Sequence, residues 1–198
     1  MNRPIFADIF DDYDNLPIVF KKHYQNHGFC DEITKCEGIM LVYLSPLMKI
    51  GAPFLALTNT LIARTGENIR VEVNFKSNPN DNSFTYDRLF YFNQKPQIFT
   101  SSMIPMGGSK VIEWTKSGLG WGAQFEYKNG RVILNHEAYY LKIFGKIIRA
   151  PLEFLFGRAN AYEIAINDDE FEMYMDITHP IFGKLYEYSG RFRMIQNV

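Results

Sequence analysis

The sequence predicts a mainly β protein of α+β character: a single domain over residues 1–198 with a curved antiparallel sheet or barrel-like fold, N-terminal helices and one helical insertion. Three observations carry that prediction. The last third, Arg158 to Met194, divides into three alternating segments separated by polar turns. Asn129-Gly130 lies between two alternating runs, and Asn-Gly there is the strongest short-range hairpin signal. Aromatic residues make up 16% of the chain, with 17 Phe and 12 Tyr, and aromatics favour strands and fill wide interiors.

Taken in order, Pro4 to Tyr13 reads as a short helix with Ile5, Phe6, Ile9 and Phe10 on one stripe. Asp14 or Asn15 is placed to cap a second helix, Pro17 suits its first turn and Gly28 its end. His23 is read as a helix-end side chain rather than a functional imidazole. Phe29 to Tyr43 reads as a strand with a bulge or bend at Gly38. If Cys30 and Cys36 share that strand, their Cα atoms stand roughly 20 Å apart, beyond the ~7 Å reach of a disulfide. No His cluster accompanies them, so no metal site is expected.

Segment 44–62 is apolar but contains Lys49, Asn59 and two prolines, and a spanning helix needs ~20 consecutive apolar residues. It reads as one or two short helices covering an end of the sheet. From Asn68 the period becomes two: Ile69, Val71, Val73 and Phe75 share a face, and after a polar turn so do Phe84, Tyr86, Arg88, Phe90 and Phe92. Arg88 is the odd member of that row. Either the row faces water there, or the guanidinium is paired with a carboxylate or stacked between rings. Gln97–Met103 and Ser109–Lys116 form the next pair, with Glu113 beside Trp114, and Gly120–Tyr127 and Arg131–Leu141 flank the Asn-Gly turn. Segment 143–156 breaks the alternation and reads as a cover for a barrel mouth or an interfacial piece. In the closing strands Phe171, Met173, Met175 and Ile177 face one way, and Glu170, Glu172, Asp176 and Thr178 the other.

A chain ending on a strand argues against the second fold considered, a helix-grip lipid-transfer fold, which wants a long C-terminal helix. Glu163, Asp168, Phe171, Asp176, His179-Pro180, Gly183, Tyr188 and Gly190 resemble the ending of a bacterial domain-of-unknown-function family, number 4166. Leu16-Pro17 with His23, Tyr86-x-Arg88-x-Phe90, Glu113 and Asn129-Gly130 follow in the family's order, so the resemblance spans roughly Ile5 to Met194. A Trp often replaces Tyr86 in that family, and this chain is less rich in arginine. The resemblance implies no established activity. Some relatives look like the tail of proteins with a reductase-like front domain, and this chain has no glycine-rich phosphate fingerprint.

The formal net charge of −1 leaves no electrostatic footprint for nucleic acid. The start is acidic and lacks a basic region followed by an apolar run, so a cytoplasmic location is expected. Nucleophilic triads, zinc spacings and phosphate loops are absent as signatures; no catalytic residue, metal or cofactor is assigned. The best enzymatic constellation joins His136-Glu137, Glu113, Glu163 and Arg88, with a buried carboxylate as base and Arg88 holding an anionic group. A structural ion pair is the favoured alternative. The supply of aromatics and methionines points instead to a module that binds an apolar or lipid-like molecule inside the sheet. Its candidate ligand-binding residues are Arg88, Phe90, Glu113, Trp121, Tyr140, Glu163, Met173 and Met175. A filled-core accessory or interaction domain is the alternative. Segments 44–62 and 143–156 are candidates for peripheral membrane contact.

Overall fold

Alternating strands of this length bury one face only when the sheet closes or is covered, and here it closes. A computed structural model describes residues 3–93 and 95–195, without the side chains of Phe54, Leu57, Thr58 and Lys95. Met1 and Asn2 of the acidic start, and the Phe54 and Leu57 side chains of the apolar segment, lie outside the described residues. The strands are β1 Ile33–Leu44, β2 Gly66–Ser77, β3 Phe84–Phe92, β4 Lys95–Gly107, β5 Lys110–Thr115, β6 Leu119–Lys128, β7 Arg131–Ile143, β8 Lys146–Ala150, β9 Arg158–Ala165, β10 Glu170–His179 and β11 Gly183–Ile195. Their order is β6-β5-β4-β3-β2-β1-β11-β10-β9-β7, and β7 returns to β6, giving a closed ten-stranded antiparallel barrel. The short β8 pairs with the upper part of β7, on the edge whose lower part pairs with β9.

This topology gives the barrel two unlike ends. The base end is filled by the N-terminal segment. There Ile5–Asp8 and Tyr13–Asn15 are 3-10 turns, and α1 spans Ile18–His23. The Phe6 ring centroid lies 4.6 Å from Tyr24, 5.3 Å from Phe84 and 5.5 Å from Phe125. Burying each such ring contributes about 1.5–3 kcal/mol, so the plug is part of the core. The mouth end carries α2 (Pro46–Thr58), the tip of the β7–β8 hairpin, α3 (Glu153–Phe156) and the β10–β11 loop. In α2 the Ser45 side chain accepts from the Met48 N–H, a regular N-cap, with Pro46 in the first turn.

The barrel-like fold, the N-terminal helical segment and the helical insertion after the first strand match the sequence expectation, while several local readings differ. Pro4–Tyr13 holds one 3-10 turn, Ile5–Asp8, and the first residue of a second, Tyr13–Asn15, rather than one helix. Asp14 and Asn15 do not cap α1, which follows directly on Pro17; the Asn15 amide instead donates to the Asp12 carboxylate at 3.0 Å. α1 also ends at His23, well before Gly28. Gly38 is not a bulge. The irregularity in β1 lies between Met40 and Val42, and Gly38 is needed because a Cβ there would stand 2.2 Å from the Arg191 carbonyl oxygen and 2.7 Å from the Phe192 ring. Cys30 precedes β1 instead of lying on it, and both cysteines are free thiols. Residues 143–156 are half strand, because Phe144-Gly145 turn the chain back into β8. Asn129 and Gly130 both take positive φ, 52° and 76°, as a type I′ hairpin turn requires.

Candidate functional site

The inner face of β3 rises from Phe84 through Tyr86, Arg88 and Phe90 to Phe92, so the alternation that buries four rings also carries one guanidinium inside. Its partners come from the next two strands. Arg88 Nη2 donates to Glu113 Oε1 at 2.9 Å, and Nη1 donates to Ser101 Oγ at 2.8 Å. The Ser101 hydroxyl in turn donates to the same Glu113 oxygen. Ser101 stands on β4, Glu113 on β5 and, directly opposite Glu113, Trp121 on β6. Four consecutive strands thus build one layer across the barrel. The Arg88 guanidinium also lies 4.5 Å from the Tyr86 ring centroid and 5.3 Å from that of Phe99.

Electrostatically the layer is a neutral pair. Burial by itself pulls the Arg88 pKa down, but the adjacent Glu113 carboxylate, with Tyr188 and Tyr86 acting in the same direction, holds the guanidinium above its ordinary value. Across the barrel, burial pushes Tyr188 up to about 12, with Arg88 acting in the opposite direction. Burial likewise holds Tyr86 well above the usual tyrosine value. These phenols therefore stay protonated at neutral pH.

The layer divides the interior into two cavities, of about 80 Å³ towards the mouth and about 70 Å³ towards the base. Arg88, Glu113, Trp121 and Tyr188 line both. The upper cavity is walled by Phe90, Phe99, Met175 and Tyr186, and roofed by Met48 and Leu55 of α2 and Phe156 of α3. The lower is walled by Cys36, Met40, Phe75 and Met173, and bounded by the plug through His23 and Tyr24.

A second polar group sits in the lower cavity. Glu163 on β9 accepts from the Tyr24 hydroxyl at 2.7 Å, and His23 Nδ1 lies 3.4 Å from the same carboxylate oxygen. The His23 ring is stacked 4.2 Å from Tyr24 and 4.9 Å from Phe171, and neither of its nitrogens is hydrogen-bonded among the described residues. His23 is therefore packed in the core at the end of α1, only 3% exposed. Burial first, and then the Glu163 charge, push the Tyr24 phenol well above its usual pKa. The same two causes, in the same order, raise the Cys36 thiol.

Of the residues singled out from the sequence, Arg88, Glu113 and Trp121 line both cavities, Phe90 and Met175 the upper, and Glu163 and Met173 the lower. Tyr140 lines neither. The register of β7 against β6 shifts between Ala138 and His136, so Glu137 is an extra residue. The shift reverses the faces beyond it: Tyr139 enters the upper wall and Tyr140 moves off it. Ser101, Tyr186 and Tyr188 are added to the set. All three are in phase with interior residues of their strands, which is the signal that would have found them.

The enzymatic constellation separates into distinct pairs. His136 Nδ1 accepts from Trp121 Nε1 at 3.2 Å, and its Nε2 lies 3.4 Å from the Glu153 carboxylate of α3. Glu137 faces the outside and pairs with Lys110 at 2.6 Å. Among the described residues, no three His, Cys, Asp or Glu side chains gather to hold a metal ion, and no helix is long and apolar enough to cross a membrane.

A family model described as "Domain of unknown function (DUF4166)" matches residues 16–192. A solved structure titled "Crystal Structure of Rv2717c from M. tuberculosis" is similar to this chain with a TM-score of 0.47 and 14% sequence identity, over 82% of this chain and 91% of that one. A search of curated proteins finds no match.

Proposed function

The chain belongs to the family described as Domain of unknown function (DUF4166), and we propose that this member binds a small, neutral, apolar or lipid-like molecule in the upper cavity, above the Arg88–Glu113 layer. The observation that carries the reading is the contrast between that cavity's apolar walls and its charge-balanced floor. An anionic headgroup would have to displace Glu113 from Arg88, so a neutral ligand suits the site better. Tyr188 at the floor leaves a polar end of the ligand a phenol to meet.

Size constrains how binding takes place. Ligand pockets usually enclose about 300–1,000 Å³, and the upper cavity holds about 80 Å³. Uptake therefore requires the roof to move. α2 suits that role, since among its described side chains only Met48, Ala52 and Leu55, one helical stripe, are turned inward. Pro53 also removes one hydrogen bond from the interior of the helix. An element held by so few buried contacts opens at low cost.

The test is native mass spectrometry of the purified protein, followed by lipid extraction and titration with the neutral fluorophore N-phenyl-1-naphthylamine. The expected result is a single saturable site, which Ala159→Trp blocks by filling the upper cavity. A protein that carries no extractable molecule and takes up no probe would instead fit a filled-core accessory or interaction domain. The small volume is the observation that favours that second reading.

A further inference from the structure

From the mouth of the barrel we infer a second surface: a docking face for the anionic phospholipid bilayer. It goes beyond the interior site and does not depend on whether the upper cavity is occupied. Ile50 on α2, Phe144 at the β7–β8 hairpin tip, Phe154 and Leu155 on α3, and Ile181 and Phe182 in the β10–β11 loop all project into solvent at this one end. Phe144 is 100% exposed, Ile50 81% and Ile181 80%. Single exposed apolar residues are ordinary, but a group gathered on four segments at one pole of a barrel is not.

The fold holds these segments in position. The buried His179 donates from Nε2 to the Phe154 carbonyl at 2.9 Å, while its Nδ1 accepts from the Ile181 and Phe182 N–H groups at 3.1 and 3.3 Å. One imidazole thus fixes α3 and the β10–β11 loop together. The Ser45 N–H donates to the Leu185 carbonyl at 2.8 Å, which brings the start of α2 to the head of β11.

Charge selects the occupant. Lys49, Lys142, Lys146 and Arg158 are exposed at the mouth and, among the described residues, have no acidic partner. The base end instead exposes Asp11, Asp12, Asp31, Asp81 and Asp168. A net charge of −1 conceals this polarity. An apolar group framed by cations, with anions at the opposite pole, orients the barrel mouth-down on a negatively charged membrane: the side chains enter the headgroup boundary and the lysines meet the phosphates. In that pose the roof over the upper cavity faces the bilayer.

The test is cosedimentation of the full chain with vesicles of phosphatidylcholine alone and of phosphatidylcholine with phosphatidylglycerol. Binding to the anionic vesicles, weakened by salt, is the expected result. Phe144→Asp/Ile181→Asp lowers it about tenfold or more, while Phe29→Asp at the base leaves it unchanged. Both positions of the double variant are open to solvent; should that variant nevertheless fail to fold, Lys142→Glu/Lys146→Glu reads the same face through charge. Absence of vesicle binding, or binding indifferent to these mouth variants, overturns the proposal. So does a wild-type dimer in sedimentation velocity that the mouth variants dissolve without any vesicle binding, since the occupant would then be a second copy of the chain.

Discussion

Arg88 and Glu113 are 25 residues apart in sequence and 2.9 Å apart inside the barrel, with side chains only 13% and 14% exposed. A single face of β3 thus carries both the hydrophobic core and the charge that divides it. Taking two charges out of water is costly, and the pair persists because each neutralises the other and Ser101 bonds both.

Breaking the pair from one side leaves an uncompensated charge in a nearly closed interior. Arg88→Met or Glu113→Leu alone therefore lowers the unfolding free energy by about 3–5 kcal/mol. The double variant Arg88→Met/Glu113→Leu loses much less than the sum, because it leaves no orphaned charge. Urea denaturation of the four proteins checks this, and additive losses would show that the two side chains act independently.

The Trp121–His136 contact makes stability depend on pH. The His136 pKa is lowered chiefly by burial, with the Glu153 carboxylate opposing. Arg149 and Arg158 add to the lowering. The unfolded chain, with an imidazole near pKa 6.5, then binds a proton more readily than the folded one, so this contribution is complete above about pH 6.5 and is lost as the pH falls towards the folded value. Protonation at Nδ1 also removes the acceptor for Trp121 Nε1. Urea midpoints should decline on acidification through this window, together with a change in tryptophan emission. His136→Asn should flatten both.

How much of this could be read from residues alone depended on whether periodicity survived. On β3 and β10 it did, and the inward rows from Phe84 to Phe92 and from Phe171 to Ile177 follow from alternation; the oddity of Arg88 was visible for the same reason. On β7 the extra residue at Glu137 exchanges the faces, and nothing local announces it, so Tyr140 stood where Tyr139 belongs. Ser101 looks like any solvent-facing serine until its neighbours in phase, Phe99 and Met103, are known to face inward. Ile147 and Ile148 are adjacent apolar side chains that are both exposed on a hairpin strand, so no period of two appears there. Cavity volume depends on how large side chains pack across the barrel, and one-dimensional order does not encode that.

His179 lies 25 residues from Phe154 in sequence and links α3 to the β10–β11 loop through one ring. Removing it takes away partly buried hydrogen bonds to the Phe154 carbonyl and to the Ile181 and Phe182 N–H groups, a net cost of about 0.5–1.5 kcal/mol per bond. His179→Ala should speed hydrogen exchange selectively in residues 153–157 and 181–183, with the strands of the lower barrel unchanged. A uniform increase across the barrel would mean that the imidazole supports the whole core rather than the mouth.

Cys36 reports on the sealing of the lower cavity. It is 1% exposed and lines that cavity, and burial holds its thiol well above the ordinary pKa. Cys30 is half-buried before β1, where its thiol donates to the His27 carbonyl at 3.1 Å. Because the thiolate is the reactive species, a disulfide reagent such as Ellman's should titrate Cys30 promptly in the native protein and Cys36 only as the barrel opens. Both should react at once in denaturant, and Cys30→Ser should remove the fast phase. Slow labelling of Cys36 that accelerates in Arg88→Met would tie the sealing to the polar layer, since Arg88 lines the same cavity. Prompt native reaction of both thiols would mean that the N-terminal plug does not close the base.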